Sequence, residues 1–139
     1  ASDVYKRQTY MYMHRCAADA GWEARIVSGV PSFCAVAARL GISLGEKDEE
    51  IHIIPAAYDM RESLGFHGTR IYMKSGKKLE ELLRVLREAM QDKESRVHQD
   101  IYGISNCGME NEQVYYGLDE LEQAKGYLTT VIVKEHVVQ

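Results

Sequence analysis

No apolar run in this 139-residue sequence is long enough to cross a bilayer. Its first residues hold neither a sustained apolar core nor a small-residue cleavage site, so no secretory signal peptide is read. Cysteine is scarce and odd in number. Cys16, Cys34 and Cys107 stand far apart, which argues against a disulfide framework and for a reducing compartment, so a cytoplasmic location is expected. Basic charge is not in excess either. The formal net charge of −4 argues against a general nucleic-acid or membrane-surface role and leaves only a local basic groove open. The five histidines (14, 52, 67, 98 and 136) share no HxxxH or HxH spacing and no cysteine pair accompanies them, so no metal site is expected. A Gly-x-Ser-x-Gly elbow is missing. "SGKKLEELL" (75–83) sits where a phosphate loop would, but Gly68 and Gly76 are too far apart and Lys78 is followed by Leu79 rather than Ser or Thr. It reads as a polar turn and a helix start. No repeat, low-complexity tract or linker to a second domain is visible.

What is present fits one compact domain with its own core: 45% apolar and 27% charged residues over 139 positions. Residues 9–20 carry Tyr10, Met13, His14 and Ala17 at helical spacing, and Gly21 can end that helix. "EARIVS" (23–28) reads as a strand. Residues 32–40 read as a helix with Ser32 as N-cap, Phe33, Val36, Ala37 and Leu40 on one face, and Gly41 closing it. Strands are expected at 51–56, 69–74, 98–105, 112–117 and 127–135, and short helices at 58–65 and 118–124. The clearest helix is "KLEELLRVLREAMQD", with Leu79, Leu82, Leu83, Leu86 and Met90 as its apolar stripe and a Glu80–Arg84 pair on its outer face. Alternation followed by gathered short strands predicts an α/β fold with a mostly parallel sheet and an antiparallel edge.

Three short stretches sit at the ends of expected strands: Gly29-Val30-Pro31-Ser32, Tyr72-Met73-Lys74 and Asn106-Cys107-Gly108-Met109. Ligands of open α/β sheets collect at the carboxyl edge, glycines there let a ligand approach the backbone, and Met73 offers a soft apolar surface to a flat ring. Each stretch alone is compatible with plain chain reversal, and their shared position makes one composite site. Cys34 falls on the apolar helix face and reads as a structural thiol, not a nucleophile. "YMYM" (10–13) reads as core or interface.

The run "TYMYMHRCAADAGWEARIVSGVPSFCAVAARLGISL", with "IHIIPA", "YMKSGKKLEELL", "NCGMENEQVYYGLDEL" and "YLTTVIVK", resembles the tetrapyrrole (corrin/porphyrin) methylases over residues 9 to about 135. Within that family it is most similar to the C20-methyltransferases of cobalamin biosynthesis, which act on precorrin-2 or cobalt-factor II. The resemblance implies two α/β domains with S-adenosyl-L-methionine, the methyl donor, between them. The family's opening glycine-rich segment and its Gly-Asp-Pro motif are absent, and "ASDVYKRQ" stands in their place. The expectation is therefore an N-terminally truncated chain. Residues 1–8 would be foreign or disordered, 9–22 a linking helix, and 23–139 the C-terminal α/β domain with half of the cofactor site.

The resemblance further implies cofactor contacts at Gly29, Pro31, Ser32, Met73, Cys107 and Gly108. Ser28 and Pro31 depart from the family's usual residues at this turn, so the contacts expected there come from backbone. Direct methyl transfer needs alignment more than acid–base help, and no catalytic residue is named. A carboxylate-rich tetrapyrrole calls for basic neighbours, and Arg39, Arg61, Arg70 and Lys74 are the candidates, each also readable as a solvated charge. The resemblance implies a homodimer; the charge balance and the lack of a long apolar run leave neither nucleic acid nor membrane as an expected partner. The alternatives are another member of the superfamily (a different corrin-ring methylase or a diphthine synthase) and a non-catalytic α/β interaction module.

Overall fold

The computed structural model describes residues 9–55, 57–73, 75, 78–91, 97–124 and 128–137. Residues 1–8, Ala56, Lys74, Gly76, Lys77, Asp92 and Tyr127 of the stretches named above lie outside them. Helix α1 (Thr9–Asp19) ends in a left-handed Gly21, φ 80°, where the Gly21 and Trp22 N–H groups return to the Ala18 and Ala17 carbonyls. None of residues 11–19 is buried, and Met13, placed by its spacing on the apolar face, is exposed. Residues 23–30 form no strand. They run over the surface, with Trp22, Ile26, Val27 and Val30 all exposed. A β-propensity pattern becomes a strand only when another strand supplies hydrogen bonds, and among the described residues none does.

Helix α2 (Ser32–Leu40) buries Phe33, Val36 and Ala37, and left-handed Gly41 closes it. Its N-cap is Pro31, not Ser32: no side chain caps the helix, and the Pro31 carbonyl accepts from the Cys34 and Ala35 N–H groups. Proline already holds the extended backbone a cap position needs, so the helix begins at the next residue. Strand β1 (Ile51–Pro55) leads to α3 (Met60–Ser63), which Asp59 caps by accepting from the Arg61 and Glu62 N–H groups. Then come β2 (Thr69–Met73), α4 (Leu79–Met90), β3 (Val97–Ser105), β4 (Gln113–Tyr116), α5 (Gly117–Leu121) and β5 (Thr129–Val137). The α4 stripe is buried at Leu79, Leu82, Leu83 and Leu86, whereas Met90 is exposed at the helix end. Arg84 lies 3.9 Å from Glu88, one turn on, rather than pairing with Glu80.

The strands form one five-stranded sheet in the order β1-β2-β5-β3-β4. The α/β class is as expected, but the sheet is mostly antiparallel. Only β1 and β2 run parallel, and β5 opposes both β2 and β3. The reason is topological. Strands β1, β2 and β3 do point the same way, as alternation with helices implies, but the last strand inserts between β2 and β3. Each would-be parallel neighbour thereby becomes an antiparallel one. The central strand is buried on both faces, with Val131, Ile132 and Val133 fully inaccessible. One face, through Tyr72, Ile101, Val131 and Val133, packs on α4 and α5. The other, through Ile71, Ile104 and Ile132, packs on α2.

Candidate functional site

Because β1, β2 and β3 share a direction, their carboxyl ends lie along one sheet edge. The register makes this concrete: Tyr72 is opposite Val131, and Ile104 is opposite Thr130. Met73 and the turn after Ser105 therefore stand at the same level, two strands apart. Met73 and Cys107 both pack against the α2-side core, which includes Phe33 and Cys34 from the first turn of α2. Three of the stretches singled out in the sequence thus converge: the start of α2, the end of β2, and the turn between β3 and β4.

At the first of these, Ser32 is exposed at a helix start with no side-chain cap. The leading N–H groups of a helix have no intrahelical acceptors and favour negative charge. Gly29 is also exposed. A Cβ added there would meet nothing within 4 Å, and its φ is not positive, so nothing in the described chain requires glycine at this position. Gly108 is different, because its φ of 78° is costly for any side chain, and Asn106 just before it also has a positive φ of 53°.

The turn is held by contacts that the sequence did not signal. The Gly108 N–H donates to Glu112 Oε2 at 2.7 Å, and Arg39 Nε of α2 donates to Glu112 Oε1 at 2.6 Å. One carboxylate thus ties α2 to the turn. The Gly108 N–H, and after it Arg39, hold the Glu112 carboxyl below the usual carboxylate range. Burial and the neighbouring Glu112 charge push the Cys107 thiol up, so it stays protonated and is a poor nucleophile. The thiol and Met73 form the apolar floor of the edge, and Glu112 with the α2 start forms its polar rim. No spacing pattern marks Glu112, because it acts through a tertiary contact 73 residues from Arg39.

The basic candidates separate. Arg39 is at this edge, already engaged by Glu112. Arg61 is on the opposite, α4 side, where it donates to Glu88 at 2.8 Å. Arg70 is not a surface charge at all: its side chain is fully buried and donates to Glu135 at 2.9 Å and toward the Leu64 carbonyl at 3.4 Å. It sits at the other end of β2 from Met73, and its alternating partners are Tyr72 and Glu135 on the α4 face. The edge as this chain carries it is open: Gly29, Ser32, Gly108 and Met109 are all exposed. Its described residues can offer an apolar floor, backbone donors and one arginine, and among them there is no nucleophile–base pair. No described helix is long and apolar enough to cross a membrane.

This chain is 33% identical, over 129 residues, to a probable cobalt-precorrin-2 C(20)-methyltransferase of Methanocaldococcus jannaschii; the match covers 91% of the chain and 53% of that relative. The chain therefore spans about half the length of the curated relative it matches. Among solved structures it superposes on a cobalt precorrin-4 methyltransferase with a TM-score of 0.70 at 13% identity, covering 91% of this chain and 58% of that one. A uroporphyrin-III C-methyltransferase from Thermus thermophilus, complexed with S-adenosyl homocysteine, gives 0.64 at 13% identity, with 96% and 61% covered. A putative diphthine synthase from Entamoeba histolytica gives 0.61 at 11%, with 99% and 64% covered. At these identities the structures speak for the fold. The family model of the tetrapyrrole (corrin/porphyrin) methylases matches residues 3–122, and the chain belongs to that family.

Proposed function

We propose that this chain is the part of an S-adenosylmethionine-dependent C-methyltransferase of cobalamin biosynthesis that builds one wall of the cofactor cleft, and that the whole protein methylates C20 of precorrin-2 or cobalt-factor II. The observation that carries the reading is the convergence of the α2 start, Met73 and the Cys107-Gly108 turn at one carboxyl sheet edge. Support for the acceptor comes from the 33% identity to a relative of that name. A cytoplasmic homodimer is part of the same proposal.

The residues present fit the cofactor in two respects. The Met73–Cys107 floor is apolar and polarisable, suited to the adenine ring. The uncapped α2 start presents backbone donors suited to a carboxylate or ribose oxygen. Open space at Gly29 leaves the backbone approachable. Gly108 contributes by shape alone, because its N–H is already given to Glu112. When bound, S-adenosylmethionine supplies an electrophilic methyl group on a sulfonium. The chain's own work is to hold and orient. Met73 and Cys107 exclude water from one side, the Ser32 backbone fixes a polar end, and Arg39 offers one cation toward a carboxylate-rich acceptor. Its Glu112 partner keeps it from being a strong anchor. Such positioning lowers a two-reactant barrier by about 7–11 kcal/mol at best.

The test is calorimetric titration of S-adenosylhomocysteine into this chain and into the chain joined behind a family N-terminal domain. Tight binding by the joined protein alone, followed by methylation of precorrin-2 or cobalt-factor II, supports the proposal. Binding by neither overturns it and leaves a fold-level relationship.

A further inference from the structure

Arg39 and Glu112 share their ion pair unequally. The Glu112 side chain is only 16% exposed, and both of its oxygens are committed, one to the Gly108 N–H at 2.7 Å and the other to Arg39 Nε at 2.6 Å. The Arg39 side chain is 59% exposed and gives Glu112 its Nε–H alone. A guanidinium carries its N–H donors in one rigid plane. Among the described residues nothing accepts from those on Arg39 Nη1 and Nη2. A fork-to-fork pair would spend two arginine nitrogens on the two carboxylate oxygens. Here the second oxygen of Glu112 is taken by the turn, so the arginine is held by one edge and its two-nitrogen end is left over.

That end is at the right place. Side chains on a helix lean toward its N-terminus, so Arg39, in the last turn of α2, leans back toward the carboxyl sheet edge. Its end also has the right shape. Two parallel N–H groups match the two oxygens of a carboxylate, which a point charge does not.

Glu112 acts on this end in two opposing ways. Its charge offsets that of the arginine, and for an exposed pair such an offset changes binding by about fivefold at most. It also fixes a side chain whose rotamer freedom is worth up to about thirtyfold in binding. Orientation is the larger effect.

We propose that Glu112 is a positioning residue for the acceptor: it holds Arg39 by the Nε edge so that the Nη1–Nη2 end receives one carboxylate of the tetrapyrrole beside the Cys107-Gly108 turn. The proposal rests on the function proposed above and adds the residue that aims Arg39. The contact is directional rather than strong, so it selects acceptors with a carboxylate at that place more than it adds affinity.

The test is steady-state methylation of precorrin-2 or cobalt-factor II by the chain joined behind a family N-terminal domain, with S-adenosylhomocysteine titrated in parallel. Glu112→Gln keeps a carbonyl oxygen for the Gly108 N–H and loses the ion pair. It should raise the acceptor KM about tenfold, while kcat and the S-adenosylhomocysteine Kd move by less than about twofold. Arg39→Lys keeps the charge and removes the planar end, and it should raise the acceptor KM by about tenfold or more. Arg39 is exposed, so this variant folds whatever Glu112 contributes to the turn. The double variant should match Arg39→Lys within about twofold, because Glu112 then has nothing left to aim. In this chain by itself the Arg39 Nε–H resonance should exchange with water about tenfold more slowly than in Glu112→Gln.

An unchanged or lower acceptor KM in Glu112→Gln would make Glu112 a competitor for the arginine and overturns the proposal. Additive losses in the double variant, a rise in cofactor Kd with the acceptor KM unmoved, or equal Nε–H exchange overturns it as well. No turnover by the unsubstituted joined protein overturns the functional reading and this proposal with it, whereas turnover with an unmoved KM overturns this proposal alone.

Discussion

Gly103 is the most sharply constrained interior position of the sheet. It lies mid-β3 opposite Val131 and Tyr115, and α5 crosses directly above it. A Cβ added there would overlap Leu121 Cδ2 and stand 3.1 Å from its Cγ, and Leu121 is fully buried in the α4-side core. Leu121 also lines the groove between α4 and α5, so Gly103→Ala must tilt the leucine toward that groove or lift α5. Overpacking of this kind costs about 1–3 kcal/mol, against which the better strand propensity of alanine offsets little. Leu121→Ala alone should cost about 2–5 kcal/mol, the usual range for emptying a buried leucine site. In the double variant the new methyl occupies part of the space left by the leucine. The loss should then fall short of the sum of the singles by about 1 kcal/mol or more, because the residues share one volume. Urea unfolding followed by circular dichroism reads all three variants. Additivity within about 0.5 kcal/mol, or an unchanged Gly103→Ala, would refute the claim that α5 is seated by the absence of a side chain at 103.

Glu135→Ala should destabilise the chain by about 3–5 kcal/mol, since it strands the buried Arg70 guanidinium, and replacing both partners by apolar residues should recover much of that loss; chemical denaturation checks both. The Glu112 tether should persist well into acid. Its folded-state pKa is lowered, so its contribution is present above the ordinary carboxylate range and is lost only as pH falls through the depressed value. The Gly108 amide resonance should report this, and a midpoint at or above the ordinary value of 4.5 would contradict it. Glu112→Gln should speed alkylation of Cys107 at mildly alkaline pH, because it removes a neighbouring charge that keeps the thiol protonated; mass spectrometry of iodoacetamide labelling measures the rate. Val27→Asp should leave stability within about 0.5 kcal/mol in a thermal melt, because Val27 is exposed and belongs to no strand.

Much of the local structure is readable from residue order because it is set by near neighbours. Gly21 and Gly41 end their helices as glycines with positive φ do, and the leucines of α4 fall on one face because their spacing matches the helical period. Five of the six expected strands form close to their expected bounds. The placement of Met73 and Cys107 at one edge was also legible, since alternation with helices makes β1, β2 and β3 parallel in direction. What decided the rest is distant in the chain. Periodicity says which face of a strand is apolar but not which strand lies beside it. The insertion of β5 between β2 and β3, and with it the antiparallel majority, is therefore a tertiary outcome.

The same holds for charge. Arg70 in "TRIYMK" looks like any solvated residue of an alternating strand, and the Glu135 carboxylate, 65 residues on, with the Leu64 carbonyl lets its guanidinium be buried. Glu112 appears as one acid among several until folding sets it between Gly108 and Arg39. Residues 23–28 show the converse, a strand pattern left on the surface because hydrogen bonds between strands need two partners. The sequence by itself determined the local elements, the family and the shared carboxyl edge of β1, β2 and β3. Tertiary structure alone decided which strands pair and which charges are buried, because each of these is a contact between residues that the order of the chain does not bring together.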